Sequence, residues 1–360
     1  MSKENVGAAH SNLSGMPDTL PMVVGVDLGG TQIRAAVLHG AAVISRVGLL
    51  TGENPTPERV IPRIFQAVRQ VLDQARIPLD QIAGIGVAAP GPLNNRTGVV
   101  YTPPNLPGWD HVPLRDLLRE QFNTAIFVEN DANAAALGEY IFGAGHGSRE
   151  LVYLTISTGI GGGVITDGKL LEGIIGTAAE LGHMTIDWRG GRCNCGNIGC
   201  LEALASGTAI ARQANEAIAI GNGDELLSFA LAQQDQDKTT NIPVDNAAAA
   251  ITPLHVNART VAQAAKAGIP MACKIIAEAA EALGVGLVNI IHIFNPEIII
   301  LGGGVSQMGD LLIEPARRIV EARAMQVPRE AARIVMAELG SDVGLIGAGA
   351  LIYYNKFDNR

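Results

Sequence analysis

Two stretches of the chain share one pattern: an apolar, β-prone run, a turn of glycine and hydroxyl residues, and a second apolar run. The first is MVVGVDLGGTQIRAAVLHG from Met22, and the second is LVYLTISTGIGGGVITDGKL from Leu151. Glycine between two such runs is typical of a β-hairpin, and further strand-like and helix-like runs follow each unit. Because alternating strands and helices favour a layered α/β architecture, the recurrence predicts two related α/β halves.

A chain of 360 residues is long for one ordinary core and suits two domains. We predict a flexible tail over residues 1–21, a smaller α/β domain over 22–129 and a larger α/β domain over 130–341. The closing helix, at about 342–356, is expected to pack back on the smaller domain. A polar, low-complexity stretch at about 221–257 is predicted to form a surface excursion with little part in the chemistry.

Composition narrows the classes of protein to which the chain can belong. Apolar residues make up 48% of it, but no apolar run reaches the roughly 20 residues of a membrane helix. Residues 1–20 also lack the continuous apolar segment that drives secretion. A net charge of −9 argues against a broad attraction to nucleic acid phosphates. We therefore predict a cytoplasmic protein that binds neither membranes nor nucleic acid.

The two glycine turns are candidates for holding phosphate groups. A single Gly-Gly pair is more often only a tight hairpin turn. Both turns here carry a hydroxyl neighbour: Gly29-Gly30-Thr31 in the first unit and Ser157-Thr158-Gly159 in the second. Uncovered backbone N–H groups and Thr hydroxyls can converge on phosphate oxygens. Asp27, just before the first turn, could hold Mg²⁺ directly or through water, or could simply cap the turn.

The common nucleotide-binding fingerprints are absent. GVITDGKL, which begins at Gly163, has the GxxxxGK spacing of a P-loop, but Leu170 stands where that motif needs a metal-binding Ser or Thr. The run also leads out of a hairpin rather than from a strand into a helix. No GxGxxG opens a strand-to-helix turn, so a Rossmann dehydrogenase has no support.

Asn130 and Asp131 stand where the strand-like run TAIFVEN ends and a run of helix formers begins. Asp131 could be only the N-cap of that helix, because Asp is among the best capping residues. It also lies at the carboxyl edge of a strand, where ligands of α/β domains usually bind. The two roles can coexist. As a proton acceptor, we expect Asp131 to be kept ionised by the helix dipole and to act through orientation and late proton acceptance.

Three of the four cysteines cluster in GRCNCGNIGC, just after AELGHMTID. His183, Cys193, Cys195 and Cys200 offer one imidazole and three thiolates over the loop 183–200, which suits a closed, tetrahedral and structural Zn²⁺ site. A redox dithiol is the alternative, but Cys193 and Cys195 lack the usual CxxC spacing. Glu180 and Glu202 flank this loop, either as solvated charges near a helix end or as ligand-binding groups.

The ordered set of motifs resembles one family, the ROK sugar kinases (repressor, open reading frame, kinase), and most closely their bacterial glucokinase branch. The resemblance runs from about Val23 to the C-terminus, except for the polar excursion. Its motifs, in chain order, are DLGGT, APGPLNNRTGVV, TPPNLPGW, ENDANAAALGE, STGIGGGVI, GTAAELGHMTID, CNCGNIGCLE and NPEIIILGGGV.

The resemblance implies an actin-like, ribonuclease-H-like duplicated α/β fold with two domains around a central cleft. It also implies phosphoryl transfer from MgATP to a hexose, with Asp131 as the general base that takes the proton of the sugar O6. The residues implied to bind the sugar are Asn105, Asn130, Asp131, Glu180, His183 and Glu202. The residues implied to hold phosphates or lie by the adenosine are Gly29, Gly30, Thr31, Thr158, Gly159 and Gly303.

The resemblance leaves the identity of the sugar open. Relatives with similar motifs take mannose, fructose or N-acetylated hexosamines, and a pocket contact or two decides among them. The family also contains transcriptional repressors and sugar sensors, in which a helix-turn-helix module precedes DLGGT, whereas a much shorter segment precedes it here. A non-catalytic sugar-binding protein is expected to lack the base or a phosphate turn. We therefore expect an ATP-dependent glucokinase, and a homodimer or homotetramer.

Overall fold

The computed structural model describes residues 20–240 and 256–357. Most of the predicted tail over 1–21 and part of the predicted excursion over 221–257 therefore lie outside the described residues. No helix within those described ranges is long and apolar enough to cross a bilayer.

The first half of the chain contributes one sheet and its flanking helices. Its elements are β1 (Met22–Leu28), β2 (Gln32–His39), β3 (Ala42–Leu50), α1 (Pro57–Ala75), β4 (Ile82–Ala89), β5 (Leu93–Asn94), β6 (Val99–Val100), α2 (Leu114–Phe122) and β7 (Ile126–Asn130). The long strands pair in the order β3-β2-β1-β4-β7. β2 runs antiparallel to β1 and β3, whereas β4 runs parallel to β1 and β7.

The second half repeats this arrangement. Its elements are α3 (Asp131–Phe142), β8 (Leu151–Ile156), β9 (Ile160–Thr166), β10 (Lys169–Leu170), α4 (Leu201–Ala205), α5 (Gly207–Ala219), α6 (Asp224–Thr240), α7 (Ala258–Lys266), α8 (Pro270–Phe294), β11 (Ile298–Gly302), α9 (Ile313–Arg323), α10 (Gln326–Ala331), β12 (Arg333–Met336) and α11 (Val343–Phe357). The strand order is β10-β9-β8-β11-β12. β9 is antiparallel to β8 and β10, and β11 is parallel to β8 and β12. The shared order and directions confirm the predicted repeat of one α/β unit.

The stretch RVIPRIFQAVRQVLDQARI lies mostly in α1. Its apolar residues recur every three or four positions, so that Val60, Ile64, Val68 and Val71 are buried on one face, against β2 and β3. Arg76 ends the helix in the left-handed conformation, at a φ of 58°.

Helices α3 and α11 join the two sheets. α3 packs on β8 and β9, α11 packs on β1 and β4, and the two helices pack on each other. These contacts are made at backbone distance. A Cβ at Gly86 of β4 would overlap the carbonyl oxygen of Ala348 in α11, and a Cβ at Gly347 would overlap that of Ala134 in α3. The closing helix therefore lies against the first sheet, while the domain limits themselves stay a prediction.

Gly86→Ala is expected to lower the free energy of unfolding by about 3 kcal/mol, because the added methyl group would force α11 away from β4. Gly304→Ala is the matched control, since no atom lies within 4 Å of the place its Cβ would take. Thermal unfolding followed by circular dichroism measures both variants. Equal melting temperatures would contradict a tight contact between α11 and the sheet.

Candidate active site

Two neighbouring cavities are candidates for ligand binding, one between the two halves of the chain and one within the second half. Both halves line the smaller cavity, which has a volume of about 610 Å³. The larger cavity, of about 1190 Å³, is lined by the second half alone. The two share Ser157 and Thr158, which belong to the glycine turn between β8 and β9. Ligands in the two cavities would therefore meet at this turn.

The smaller cavity gathers all the side chains that were expected to bind a sugar. Its wall includes Asn105, Asn130, Asp131, Glu180, His183 and Glu202, together with Thr158 and Gly159 of the second turn. Sequence reasoning missed further polar residues of the wall, namely Asn133, Thr155 and Thr177. The signal for Asn133 is its spacing: it lies in the first turn of α3, two residues after Asp131.

Asn130, not Asp131, caps helix α3. The Oδ1 atom of Asn130 accepts a hydrogen bond from the N–H of Ala132 at 2.9 Å and a longer one from that of Asn133 at 3.4 Å. Asp131 is the first residue inside the helix. Because the cap is supplied by its neighbour, the Asp131 carboxylate can face the cavity.

The Asp131 carboxylate is open to the cavity but closely surrounded by protein. Loss of water around it raises its pKa to about 6, although the N–H of Ala132 donates to it at 2.8 Å. The negative charges of Asp27 and Glu180 raise the pKa further. Desolvation thus outweighs the helix N-terminus, which was expected to keep this carboxylate ionised. Asp131 changes charge close to neutral pH, as suits a group that accepts a proton.

A short 3-10 turn over Leu181–His183 presents Glu180 and His183 to the cavity. Gly182 allows the turn to lie on β9, because a Cβ there would overlap a carbonyl oxygen of that strand. Burial raises the pKa of Glu180, the nearby His183 lowers it, and the like charge of Glu202 raises it. The turn therefore holds a carboxyl group and an imidazole side by side.

Glu202 links the second glycine turn to the cysteine loop. Its Oε2 atom accepts a hydrogen bond from the N–H of Ile160 at 2.9 Å, and its Oε1 atom lies 3.9 Å from the Sγ atom of Cys193. A Cβ at Gly159 would overlap Oε2. The glycine of this turn is thus needed for the approach of the carboxylate.

The predicted metal ligands lie together, with the ligand atoms of His183, Cys193, Cys195 and Cys200 within 4.8 Å of one another. The Sγ atoms of Cys195 and Cys200 are 3.7 Å apart, and Sγ of Cys193 is 3.7 Å from Nδ1 of His183. Tetrahedral zinc, with bonds of about 2.0–2.3 Å, separates such ligand atoms by about 3.5–3.8 Å. The donor set therefore fits one zinc ion, with Nδ1 of His183 as the ligand nitrogen.

The first glycine turn lies outside the walls of both cavities. Neither Asp27 nor the turn residues 29–31 line either of them. The Oδ2 atom of Asp27 instead forms an ion pair with Nη2 of Arg34 at 2.5 Å, which leaves Oδ1 out of that pair. Gly30 packs so closely on Asn105 that a Cβ would lie 2.9 Å from the Asn105 Cβ. In this structure the turn contacts the smaller cavity's wall through Asn105.

The larger cavity combines positive charge with apolar surface. Arg259 and Lys266 line it, together with the ion pair of Arg212 and Glu216, beside apolar side chains such as Val305 and Met308. Gly207 and Thr208, the first residues of α5, also belong to its wall. Because a helix N-terminus attracts anions, this end of the cavity suits phosphate, and the apolar part suits a flat base.

The larger cavity differs from two of the sequence-based expectations, the place of Gly303 and the isolation of the polar excursion. Gly304 lines it, whereas Gly303 is turned to the protein interior, where a Cβ would overlap the Ile156 carbonyl. Asn257, at the end of the predicted excursion, also lines this cavity. The α6 part of that excursion buries Leu226 in the core. The stretch therefore borders a candidate ligand site at its end.

Asp131→Asn is expected to raise the melting temperature by about 1–2 °C at pH 8 and by less at pH 4.5, a small effect because the carboxylate is open to water in the cavity. The folded-state pKa of about 6 exceeds the ordinary 3.8, so the stabilisation from the bound proton is complete below 3.8 and is lost as pH rises through 6. Above that pH the amide removes an unfavourable charge. Differential scanning fluorimetry measures the shift, with Asp80→Asn, at an exposed carboxylate, as control. Equal shifts at both pH values would contradict the raised pKa.

Known proteins share both this sequence and this architecture. A glucokinase from Thermotoga maritima is 37% identical over 331 residues, which cover 92% of this chain and 96% of that protein. The crystal structure of a ROK family glucokinase from Streptomyces griseus, in complex with glucose and AMPPNP, is 33% identical. Its TM-score is 0.75, with 92% of this chain and 98% of that chain covered. A xylose repressor from Caldicellulosiruptor bescii is 32% identical over 333 residues, which cover 92% of this chain and 77% of that protein.

These likenesses confirm the actin-like, duplicated α/β fold that the motifs implied. The sequence model of the ROK family matches residues 23–354, which includes both sheets, both cavities and the cysteine loop. The chain therefore belongs to the ROK family.

Proposed function

We propose that this protein is an ATP-dependent glucokinase that transfers the γ-phosphoryl group of MgATP to the 6-hydroxyl of glucose. The observation that carries the proposal is the position of Asp131, in an acceptor-rich cavity that meets a positively charged cavity at Ser157 and Thr158. The Thermotoga maritima and Streptomyces griseus relatives, both named glucokinase, support the choice of reaction and sugar.

The smaller cavity is suited to a molecule rich in hydroxyl groups. Carboxylates and amide oxygens accept hydrogen bonds from hydroxyls, and amide N–H groups donate to them. Glu180, Glu202 and Asn105 supply these groups from three separate segments. The Nε2 atom of His183 would remain available to the sugar if Nδ1 held a metal ion. The hydroxyl groups around a pyranose ring would thus form hydrogen bonds with several segments of the protein.

Asp131 is the group proposed to take the proton of the sugar O6. As O6 forms a bond to the γ-phosphorus, the bond from that phosphorus to the β,γ-bridging oxygen breaks, and its electron pair leaves with ADP. The O6 proton passes to the Asp131 carboxylate. A pKa of about 6 leaves this carboxylate mostly ionised at pH 7 yet more basic than an ordinary aspartate.

The nucleotide is proposed to occupy the larger cavity. Its phosphates would be bound by N–H groups of the Thr158 turn. The α5 N-terminus would attract them through its dipole, since the N–H groups of Gly207 and Thr208 already donate to the carbonyls of Ser157 and Thr158. Lys266 and Arg259 add positive charge to this cavity. Magnesium, brought with ATP, would neutralise phosphate charge. Asp27, which lines neither cavity in this structure, is the carboxylate that would hold that ion through water.

Zinc is proposed as the ion of the cysteine cluster, since three thiolates and one imidazole leave no open position. The ion supplies structure: it would hold His183 and the loop before Glu202 in place. Cysteines that bind a metal instead of forming disulfides are typical of a reducing compartment such as the cytoplasm.

Asp131→Asn is expected to lower kcat about 10²–10⁴-fold, because the amide cannot accept the O6 proton. Glucose affinity, measured by calorimetry, should stay within about threefold, since the amide keeps the shape of the side chain. In the unmodified protein, kcat/KM should fall as pH drops through about 6, where Asp131 gains a proton. A coupled assay of glucose-dependent ADP formation measures both effects, and near-normal turnover of the variant would overturn this role of Asp131.

The same assay decides between glucokinase and its alternatives. Glucose, mannose, fructose and N-acetylhexosamines, each with ATP or polyphosphate, form the panel. The similarity to a xylose repressor makes a sugar-sensing regulator the second candidate. Sugar binding in calorimetry without ADP formation from any hexose would favour that candidate. Light scattering on the same sample would measure the expected homodimer or homotetramer.

Cys195→Ser is expected to reduce bound zinc from about one ion per chain and to raise the KM for glucose at least severalfold. The reason is that the cluster fixes His183, which lines the sugar cavity. Elemental analysis by mass spectrometry measures the zinc. Cys273→Ser, at an exposed cysteine outside the cluster, is the matched control. A zinc-free variant with unchanged KM would show that the cluster does not shape the sugar site.

A further inference from the structure

A buried carboxylate lies directly behind the candidate sugar site. Glu129, in β7, is 4% exposed and does not line the smaller cavity. It borders a separate cavity of about 310 Å³ on the other side. No ion pair joins Glu129 to a cation within residues 20–240 and 256–357. Burying a charge without a cation is unfavourable unless hydrogen bonds satisfy it.

Three donors from three segments satisfy the Glu129 carboxylate. The Nδ2 atom of Asn95, in the loop after β5, donates to Oε2 at 2.8 Å. The backbone N–H of Asn130 donates to Oε1 at 2.8 Å, and Nδ2 of Asn133 donates to the same oxygen at 3.1 Å. The carboxylate itself is thus paired at both oxygens, whereas the Oδ1 atoms of Asn95 and Asn133 are buried without a hydrogen-bond partner among the described residues. The arrangement of these two amides therefore depends on their bonds to Glu129.

Each of these donors belongs to, or touches, the wall of the sugar cavity. Asn130 and Asn133 line it, and Asp131 lies between them. Because an ionised carboxylate only accepts hydrogen bonds, the side-chain amides of Asn95 and Asn133 must turn their NH₂ groups to Glu129 and their Oδ1 atoms away from it. The Oδ1 atom of Asn95 then meets Gly176, another wall residue, at a place 2.6 Å from where a Cβ would stand.

We propose that Glu129 is a positioning residue for the sugar site: its carboxylate holds Asn130, Asn133 and, through Asn95, the Gly176 wall in the arrangement that accepts the sugar. This inference rests on the proposed function. It differs from a purely structural role, in which loss of Glu129 would reduce stability and the amount of folded enzyme but would leave the KM for glucose unchanged.

Glu129→Gln keeps the size of the side chain but turns a donor toward Asn95. Because Oδ1 of Asn95 has no hydrogen-bond partner among the described residues, the amide of Asn95 is expected to turn over, which would place its NH₂ group against Gly176 of the cavity wall. The KM for glucose is expected to rise at least 10-fold, because small displacements of binding groups have large effects on rate and affinity. The KM for ATP should stay within about twofold, since the network does not reach the larger cavity. Steady-state kinetics with each substrate varied in turn measures this split.

Asn95→Asp in the Glu129→Gln background supplies an acceptor for the new amide and should bring the KM for glucose back to within about threefold. Asn95→Asp alone sets two carboxylates against each other and should raise that KM. The matched control is Glu139→Gln. Glu139 is also buried and accepts hydrogen bonds, from the N–H groups of Ala144, Glu338 and Leu339, but it lines neither cavity. Its variant should lose thermal stability and keep its KM.

The outcomes separate this inference from the proposed function. A Glu129→Gln enzyme with an unchanged KM for glucose, a rise matched by Glu139→Gln, or no recovery in the double variant would each overturn the positioning role. If the unmodified protein forms no ADP from any hexose, the proposed kinase function fails. Glucose dissociation constants from calorimetry then replace KM in the same comparison, and absence of glucose binding would overturn both.

Discussion

The packing of α3 against α11 is the contact on which the rest of the structure depends. A Cβ at Gly138 of α3 would lie 3.0 Å from the Cα atom of Gly347 in α11, so the helices touch through their backbones. Each helix also covers a different sheet. Close-packed elements transmit displacement rather than absorb it. Because Asp131 begins α3, this packing sets where its carboxylate lies relative to both halves of the protein.

Several carboxylates lie close together near the start of α3, where their like charges and their burial are unfavourable. Asp131, Glu180 and Glu202 face one cavity, and burial raises the pKa of the first two. A fourth carboxylate, Glu129, is buried behind them, and burial raises its pKa as well. Such groups reduce the stability of the folded protein and are retained where binding or chemistry needs them. Hydroxyl donors of a sugar would offset part of this cost.

Features set by local spacing could be predicted from the sequence. The two hairpins and the four metal ligands depend on residues close along the chain, and the structure brings each set together. Features set by long-range burial could not. The raised pKa of Asp131 and the placement of Lys266 and Thr158 in the wall of one cavity both depend on which distant segments pack together.

The cysteine loop shows how a structural element can affect chemistry without taking part in it. His183 belongs to the candidate metal cluster and also lines the smaller cavity. Glu202 belongs to the same cavity and accepts the N–H of Ile160, next to the turn that both cavities share. An ion in the cluster would therefore restrict an imidazole, a carboxylate and the second glycine turn together. Since all three are held by one short loop, a displacement there would reach the sugar and the phosphoryl donor at the same time.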